Sequence, residues 1–252
     1  MSRNEMLEAT RAAGGPIEQV VSVFMLHPET FAESVAAGYE NPFAGYVAGR
    51  GGVLGEATGV AVGSIFVVFE PNALTGLWEE GVAVRGAAEA AKLYWEQAAG
   101  FGRRYLSGAQ GLDRLAELGE KVIAATPGAG VPLYAGWRTM PLADDAPARA
   151  MQVMFVLREL RAGVHFNVLN NSGISALEAH MLNKGHEYAT LFGWPEPFAD
   201  GADKAERYAG VEEATNERMA EILAAALDQE EAAELGRLSA AALDSLKAAV
   251  PA

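Results

Sequence analysis

The sequence predicts a mainly α-helical protein with at most a small β element, organised as two helical halves. Three observations support this prediction. Alanine, glutamate and leucine, which favour helices, dominate the chain. Apolar residues recur at spacings of three and four in segments such as residues 86–100, as they do on one face of a helix. Proline and glycine concentrate at breaks between such segments, above all in residues 126–147.

The predicted helices follow one another along most of the chain. Proline in the first turn and glycine just beyond the last turn mark several of their ends. Helices are predicted over residues 29–37, from residue 42 to the Gly51-Gly52 break, and over 71–80, where a longer helix follows that runs through Tyr105. Further helices are predicted over residues 112–125, 148–169, 175–184, 185–192, 211–227 and 229–248. Residues 63–69 (GSIFVVF) are the one strand candidate, because they are short, β-branched and aromatic.

The best internal boundary is the stretch of residues 126–147. Its four prolines and three glycines disfavour both helix and sheet. We therefore predict an N-terminal helical half over residues 1–125, a Pro/Gly-rich connector over 126–147, and a C-terminal half over 148–252. The last two helices alternate acidic and apolar residues, which predicts a terminal helical hairpin.

Composition excludes several classes of protein. The 252 residues include 19 Lys and Arg against 33 Asp and Glu, a net charge of −14 at pH 7. Such a chain lacks the positive charge that broad nucleic-acid binding needs, so no nucleic-acid partner is expected. The absence of cysteine excludes disulfides and thiolate metal sites. No apolar run reaches the ~18 residues of a membrane span and no signal-peptide core begins the chain, so we expect a soluble cytoplasmic protein without a membrane partner.

The most informative segment is residues 151–169 (MQVMFVLRELRAGVHFNVL). Apolar residues cover nearly its whole circumference, which is typical of a buried helix. Charges in a buried helix must be paired or bind something. Along one side, at spacings of three and four, lie Met151, Met154, Arg158, Arg161 and His165.

Arg158, Arg161 and His165 are therefore candidate ligand-binding residues that face one cavity. Their donors suit an anionic or carbonyl-bearing small molecule. The alternative is that both arginines pair with carboxylates of neighbouring helices while His165 caps a carbonyl group. Gly163 costs ~1 kcal/mol relative to alanine inside a helix, which predicts close approach by another backbone or by a ligand.

The N-terminal half offers two further candidate ligand contacts, Tyr46 and Arg50. They are four residues apart and share one face of a predicted helix. Phe66, Phe69 and Trp78 follow them, and they either wall a cavity between the halves or pack in the core.

The other polar residues that could act in binding or catalysis are better explained by structural roles. His27 directly precedes a helix, where a turn or cap role predominates, and Ser175 with Glu178 is typical of a capping box. His180 and Lys184 lie one helical turn apart and are expected at the surface. No HExxH motif, no histidine pair four apart and no phosphate-binding or dinucleotide-binding glycine motif occurs. The sequence therefore does not identify a cofactor, and it carries no metal-binding or nucleotide-binding motif.

Five segments carry a resemblance to a known family. They are residues 45–57 (GYVAGRGGVLGEA), 66–74 (FVVFEPNAL), 131–145 (VPLYAGWRTMPLADD), 157–169 (LRELRAGVHFNVL) and 172–182 (SGISALEAHML). Together they resemble an actinobacterial helix-turn-helix-like family that is distantly similar to MarR-type regulators, over about residues 16–246. The most specific motif, of the form LREhRGDGH, is carried here by Leu157, Arg158, Glu159, Arg161 and His165.

The resemblance implies two winged-helix-like units in one chain, with residues 212–223 matching the long helix that follows the wing. Two departures stand out. Residues 162–164 (AGV) replace the Gly-Asp-Gly of the motif, and the basic β-hairpin wing is missing before the final helices. The recognition region that the resemblance implies, residues 173–194, has Lys184 as its only full positive charge, whereas a recognition helix needs several.

We therefore predict that the protein binds a small anionic or polar-aromatic molecule between its halves, with DNA binding lost. The contacts would be Tyr46, Arg50, Arg158, Arg161 and His165. One alternative is an enzyme of a biosynthetic pathway, with His165 as its catalytic acid or base and Arg158 or Arg161 stabilising developing negative charge. Another is a ligand-responsive transcriptional regulator. Internal pairing of the hairpin helices favours a monomer slightly over a homodimer.

Overall fold

The computed structural model describes residues 3–250, which form thirteen α-helices and two short 3₁₀ turns. The helices are α1 (Arg3–Leu26), α2 (Pro28–Ala36), α3 (Pro42–Gly51), α4 (Gly59–Phe66), α5 (Pro71–Arg85), α6 (Ala87–Tyr105), α7 (Leu112–Ala125), α8 (Pro132–Trp137), α9 (Ala146–Ser172), α10 (Ala176–Asn183), α11 (His186–Leu191), α12 (Ala205–Ala224) and α13 (Gln229–Ala249). These residues contain no β-strand, so the predicted mainly α-helical fold class is confirmed. No helix among them is both long and apolar enough to cross a bilayer.

Helix α9 lies at the centre of the fold. The carboxylate of Asp145 accepts a hydrogen bond from the backbone N–H of Ala148 at 3.3 Å and caps its start. Gly173, with φ of 75°, follows its last residue. Helices α1, α6, α7, α8 and α12 pack around it, and its first half is buried on nearly every side. The helix extends beyond the predicted residues 148–169 at both ends.

Helix α1 is absent from the sequence-based predictions. Residues 14–16 (GGP) lie in its middle, and such a triplet is typical of a break. The helix nevertheless continues, because its apolar residues, such as Val20 and Phe24, are fully buried where α1 packs along α13 and α9. Tertiary burial here outweighs local preference. One consequence is that Glu18 reaches the side of α9.

The predicted strand over residues 63–69 is wrong. These residues form the second half of α4 and the irregular segment after it. Thr58 caps the start of the helix, and Val67, with φ of 57°, follows its end. Phe66 and Phe69 are buried by packing rather than by strand pairing. A short apolar run does not by itself distinguish a buried helix from a buried strand.

The Pro/Gly-rich stretch of residues 126–147 contains one short helix, α8, where none was expected. Proline at its first position, Pro132, costs no helical hydrogen bond. The indole N–H of the fully buried Trp137 donates to the backbone carbonyl of Arg50 at 3.1 Å. Residues from both sides of the stretch join one apolar core. The division of the chain into two halves stays a prediction.

The last two helices are α12 and α13, of which α12 begins earlier than predicted, at Ala205. They contact each other little, because α13 packs mainly along α1 and α12 packs on α9 and α1, so the terminal hairpin stays a prediction. Asp228 and Glu231 form a capping box at the start of α13. The apolar stripes of both helices are buried within one chain against α1, α7 and α9. The buried residues are Val211, Met219, Ile222, Leu223, Leu227, Leu235, Leu243 and Leu246.

A close helix contact positions α3, which carries Tyr46 and Arg50. A Cβ atom at Gly81 of α5 would lie 2.3 Å from the backbone carbonyl oxygen of Ala44 in α3. Gly76, on the same helix, is exposed, and a Cβ atom there would meet nothing within 4 Å. The two glycines therefore provide a matched pair for substitution.

We expect Gly81→Ala to lower the free energy of unfolding by about 2 kcal/mol, because the new methyl group forces α3 and α5 apart. Gly76→Ala should raise it by about 0.5–1 kcal/mol, since alanine is the better helix former. Urea denaturation measures both changes. Equal effects of the two substitutions would contradict the close approach of α3 to α5.

Candidate functional site

A cleft of about 900 Å³ lies between α1, α3, α9, α10, α11 and α12. Tyr46, Arg50, Arg158, Arg161 and His165 all line it. The fold thus brings together the five residues that the sequence singles out, from two helices that are far apart along the chain. Aromatic surface in the same lining comes from Phe166, Tyr188, Phe192 and Tyr208.

A buried ion pair joins Arg50 of α3 to Glu159 of α9. Nε of Arg50 donates to Oε1 of Glu159 at 2.8 Å, and Nη2 donates to Oε2 at 3.0 Å. Nη1 donates to the hydroxyl oxygen of Tyr46 at 3.1 Å. The two charged side chains are only 2% and 1% exposed. All three nitrogen atoms of the Arg50 guanidinium are therefore already hydrogen-bonded.

Arg158 continues this network to α1. Its Nη1 donates to Glu159 at 3.2 Å, while Nε and Nη2 donate to the Glu18 carboxylate at 3.2 and 3.5 Å. Burial raises the pKa of Glu18, but the charge of Arg158 and a hydrogen bond from Ser22 outweigh it and lower the pKa to about 2. Burial likewise opposes ionisation of Glu159, yet Arg50 and Arg158 hold its pKa below the ordinary value. Arg158, like Arg50, has no nitrogen left unbonded.

Arg161 differs from the other two arginines. Its Nη2 donates to Oε2 of Glu212 at 2.9 Å and to the side-chain oxygen of Asn216 at 3.3 Å. Within residues 3–250, its Nε and Nη1 atoms have no hydrogen-bond partner. The side chain is 23% exposed. Arg161 therefore keeps N–H groups available to a molecule in the cleft.

His165 is held by groups of α12. Its Nδ1 lies 3.3 Å from the Thr215 hydroxyl oxygen and 3.5 Å from Oε1 of Glu212. Because that hydroxyl donates to the carbonyl of Val211 at 2.7 Å, it can only accept from the ring, which assigns the proton to Nδ1. Burial lowers the pKa of His165 below its ordinary value, so the ring is neutral at pH 7. Nε2 is then a hydrogen-bond acceptor.

The wall formed by α10 and α11 contains the residues that were expected at the surface. That expectation is wrong for His180, which is buried beside the rings of Tyr188 and Phe192 at centroid distances of 6.4 and 5.2 Å. Its Nε2 atom is buried without a hydrogen-bond partner. Lys184, one turn further on, is exposed and lines the cleft. No carboxylate in the described part of the chain pairs with its ammonium group.

The lining of the cleft has an excess of positive charge, although the chain as a whole is acidic. Its cationic residues are Arg11, Arg50, Arg158, Arg161 and Lys184, and its carboxylates are Glu18 and Glu212. Glu159 and Glu213, outside the lining, pair with Arg50 and Arg11. An anion is thus the charged species that this surface attracts.

Two other histidine and glutamate predictions concern helix ends, and both are confirmed. Nδ1 of His27 accepts a hydrogen bond from the backbone N–H of Glu29 at 3.3 Å and caps α2. Ser175 and Glu178 form the predicted capping box at the start of α10. His27 also lines the cleft.

The neighbouring aromatic residues and the helix glycine serve packing. Phe66, Phe69 and Trp78 are buried in the core and do not line the cleft. A Cβ atom at Gly163 would lie 2.6 Å from Cγ1 of Val131, so the predicted close approach is made by the residue before α8 and not by a ligand. Among residues 3–250, no cluster of three or more His, Asp and Glu side chains could hold a metal ion.

Sequence reasoning missed the carboxylates that complete the network, Glu18, Glu159 and Glu212. Glu159 lies inside the LRELR motif, and its position beside two arginines was a local signal. Glu18 and Glu212 belong to helices distant in sequence, so only tertiary packing reveals them. Both arginines of α9 do pair with carboxylates of neighbouring helices, as the alternative interpretation predicts, and they line the cleft as well. The alternative is wrong for His165, which caps no carbonyl group.

We expect Glu159→Gln to lower the free energy of unfolding by about 3 kcal/mol or more, because it leaves Arg50 charged and buried without its partner. Glu221→Gln, which breaks an exposed pair with Arg218, should change it by less than about 1 kcal/mol. Guanidinium denaturation compares the two variants. A loss for Glu159→Gln no larger than that of the control would contradict the buried pair.

Comparison with known proteins identifies the family. Residues 10–205, well over half of the chain, match a helix-turn-helix family. No curated protein and no solved structure matches the chain. Helix-turn-helix folds are typical of DNA-binding and regulatory proteins. The matched residues include the helices that line the cleft except the start of α1 and nearly all of α12, and the chain therefore belongs to the helix-turn-helix family.

Proposed function

We propose that the protein binds a small organic anion with an apolar or polar-aromatic body in the cleft, and that it has lost DNA binding. The observation that carries this proposal is the charge of the cleft. A chain with 33 acidic and 19 basic residues surrounds a cavity lined by five cationic side chains and two carboxylates. A volume of about 900 Å³ lies in the range of small-molecule pockets.

Arg161 and His165 supply the directional contacts in this proposal. The N–H groups on Nε and Nη1 of Arg161 donate to an oxygen of the ligand. The unprotonated Nε2 of His165 accepts from an O–H or N–H group. Every guanidinium nitrogen of Arg50 and Arg158 already donates one hydrogen bond within the protein, so these arginines chiefly support the site by holding α3, α9 and α1 together.

Membership of the helix-turn-helix family would by itself favour DNA binding. The segment expected to contact DNA, residues 173–194, carries little positive charge. Lys184 is the only lysine or arginine in residues 173–194. Glu178 pairs with Lys204 beyond the segment. Helix α11 exposes His186, Glu187, Thr190 and Leu191 but contains no lysine or arginine, whereas a recognition helix needs several such cations for its contacts.

A thermal-shift screen of organic carboxylates tests the ligand proposal. We expect at least one hit whose Kd rises about tenfold or more in Arg161→Gln, because a charge-assisted hydrogen bond is lost. Arg103→Gln is the control, since it removes the same charge from a surface pair with Asp145 outside the cleft. Hits that bind both variants and the unmodified protein alike would contradict the proposal.

Mass spectrometry tests the enzyme alternative. It shows whether a hit incubated with the protein is chemically converted, as catalysis by His165 requires.

A separate measurement tests the loss of DNA binding. Fluorescence anisotropy at physiological salt should give no saturable binding of duplex DNA below about micromolar concentration, the range of non-specific affinity. The duplexes should include the region upstream of the protein's own coding sequence. Nanomolar affinity for any of them would favour the regulator alternative instead.

A further inference from the structure

We propose that Lys184 binds the anionic group of the ligand, while Arg161 and His165 bind an uncharged hydroxyl-like group elsewhere on the same molecule. This inference rests on the proposed function and specifies its ligand: an organic monoanion that also carries a group able both to accept and to donate a hydrogen bond. It moves the anion away from the arginines of α9, where sequence reasoning placed it.

The first argument is the pairing of charges. Each arginine that lines the cleft already has a carboxylate: Arg11 pairs with Glu213, Arg50 with Glu159, Arg158 with Glu18 and Arg161 with Glu212. Lys184 is the one cationic side chain of the lining without such a partner in residues 3–250. A ligand carboxylate at Arg161 would also lie close to the carboxylate of Glu212, which it would repel. A ligand carboxylate at Lys184 meets no such charge on α10, where the nearby Glu178 is engaged by Lys204.

The second argument is the hydrogen bonding at each place. Next to Lys184 on α10, the Nε2 atom of His180 is buried and has no hydrogen-bond partner within residues 3–250. Arg161 and His165 instead offer a donor and an acceptor side by side. That combination matches a hydroxyl group, which accepts from Arg161 and donates to Nε2 of His165.

The third argument is the surface that connects the two places. Tyr188, Phe192 and Leu182 line the cleft near Lys184, and Phe166 and Leu169 line it near His165. The body of the ligand is therefore apolar.

Three flexible probes of equal length test this assignment: ω-hydroxydecanoate, decanoate without the hydroxyl group, and decane-α,ω-diol without the charge. Binding is measured by isothermal titration calorimetry to the full chain and to three variants. Lys184→Gln removes the proposed anion contact, and Arg161→Gln removes the hydroxyl contact. Lys247→Gln is the matched control, since Lys247 is exposed, lies outside the cleft and carries the same charge.

We expect Lys184→Gln to weaken both carboxylates about fivefold, as for an exposed ion pair, and to leave the diol unchanged. Arg161→Gln should weaken the two hydroxyl-bearing probes and leave decanoate unchanged. The control should bind all three probes like the unmodified protein. This pattern supports the assignment.

The two proposals fail in different ways. If Arg161→Gln weakens ω-hydroxydecanoate while Lys184→Gln binds it like the Lys247→Gln control, the cleft binds ligands but Lys184 is not the anion contact. If Arg161→Gln weakens decanoate as much as it weakens the hydroxy acid, the anion lies at Arg161 and this inference is wrong. If no probe binds, or if neither cleft variant changes the binding of any probe, both the proposed function and this inference are wrong.

Discussion

The buried ion pair between Arg50 and Glu159 constrains the whole cleft. Removing two charges from water costs several kcal/mol per ion, so such a pair persists only where its hydrogen bonds are satisfied. Tyr46 and Arg158 supply the additional bonds to the pair, and Trp137 bonds the backbone carbonyl of Arg50. Helix α3 is thereby held in one arrangement with α8 and α9, which lie much further along the chain.

This pair also determines what the other charged residues can do. Glu159 accepts hydrogen bonds from both Arg50 and Arg158. The other two nitrogens of Arg158, Nε and Nη2, donate to Glu18 on α1. The network therefore consists of alternating charges, and most of its donors are used within the protein. Arg161, at the next turn of α9, lies beyond Glu159 and keeps unbonded N–H groups. Residues that look equivalent on a helical wheel thus divide into supporting and available donors.

The same contrast explains how far the sequence could predict the structure. Helix α9 and the shared face of Arg158, Arg161 and His165 follow from helical periodicity, which is a local property of the chain. The partners of these residues depend on α1 and α12, and α1 contradicts the break that its Gly-Gly-Pro triplet suggests. The buried state of His180 likewise depends on aromatic rings from α11. The wrong strand at residues 63–69 has the same origin, since burial and not local preference determines the form of a short apolar run.

The helix-turn-helix family and the proposed function place different demands on the same helices. Binding of a duplex needs several cations on an exposed face, because each phosphate contact is made by a separate side chain. In residues 3–250, Arg50, Arg158 and Arg161 face the cleft and are held there by carboxylates on α1, α9 and α12. Lys184, the only cation of residues 173–194, lines the same cleft. On our proposal, the positive charge that lines this cleft serves a molecule that fits inside about 900 Å³, and not a duplex.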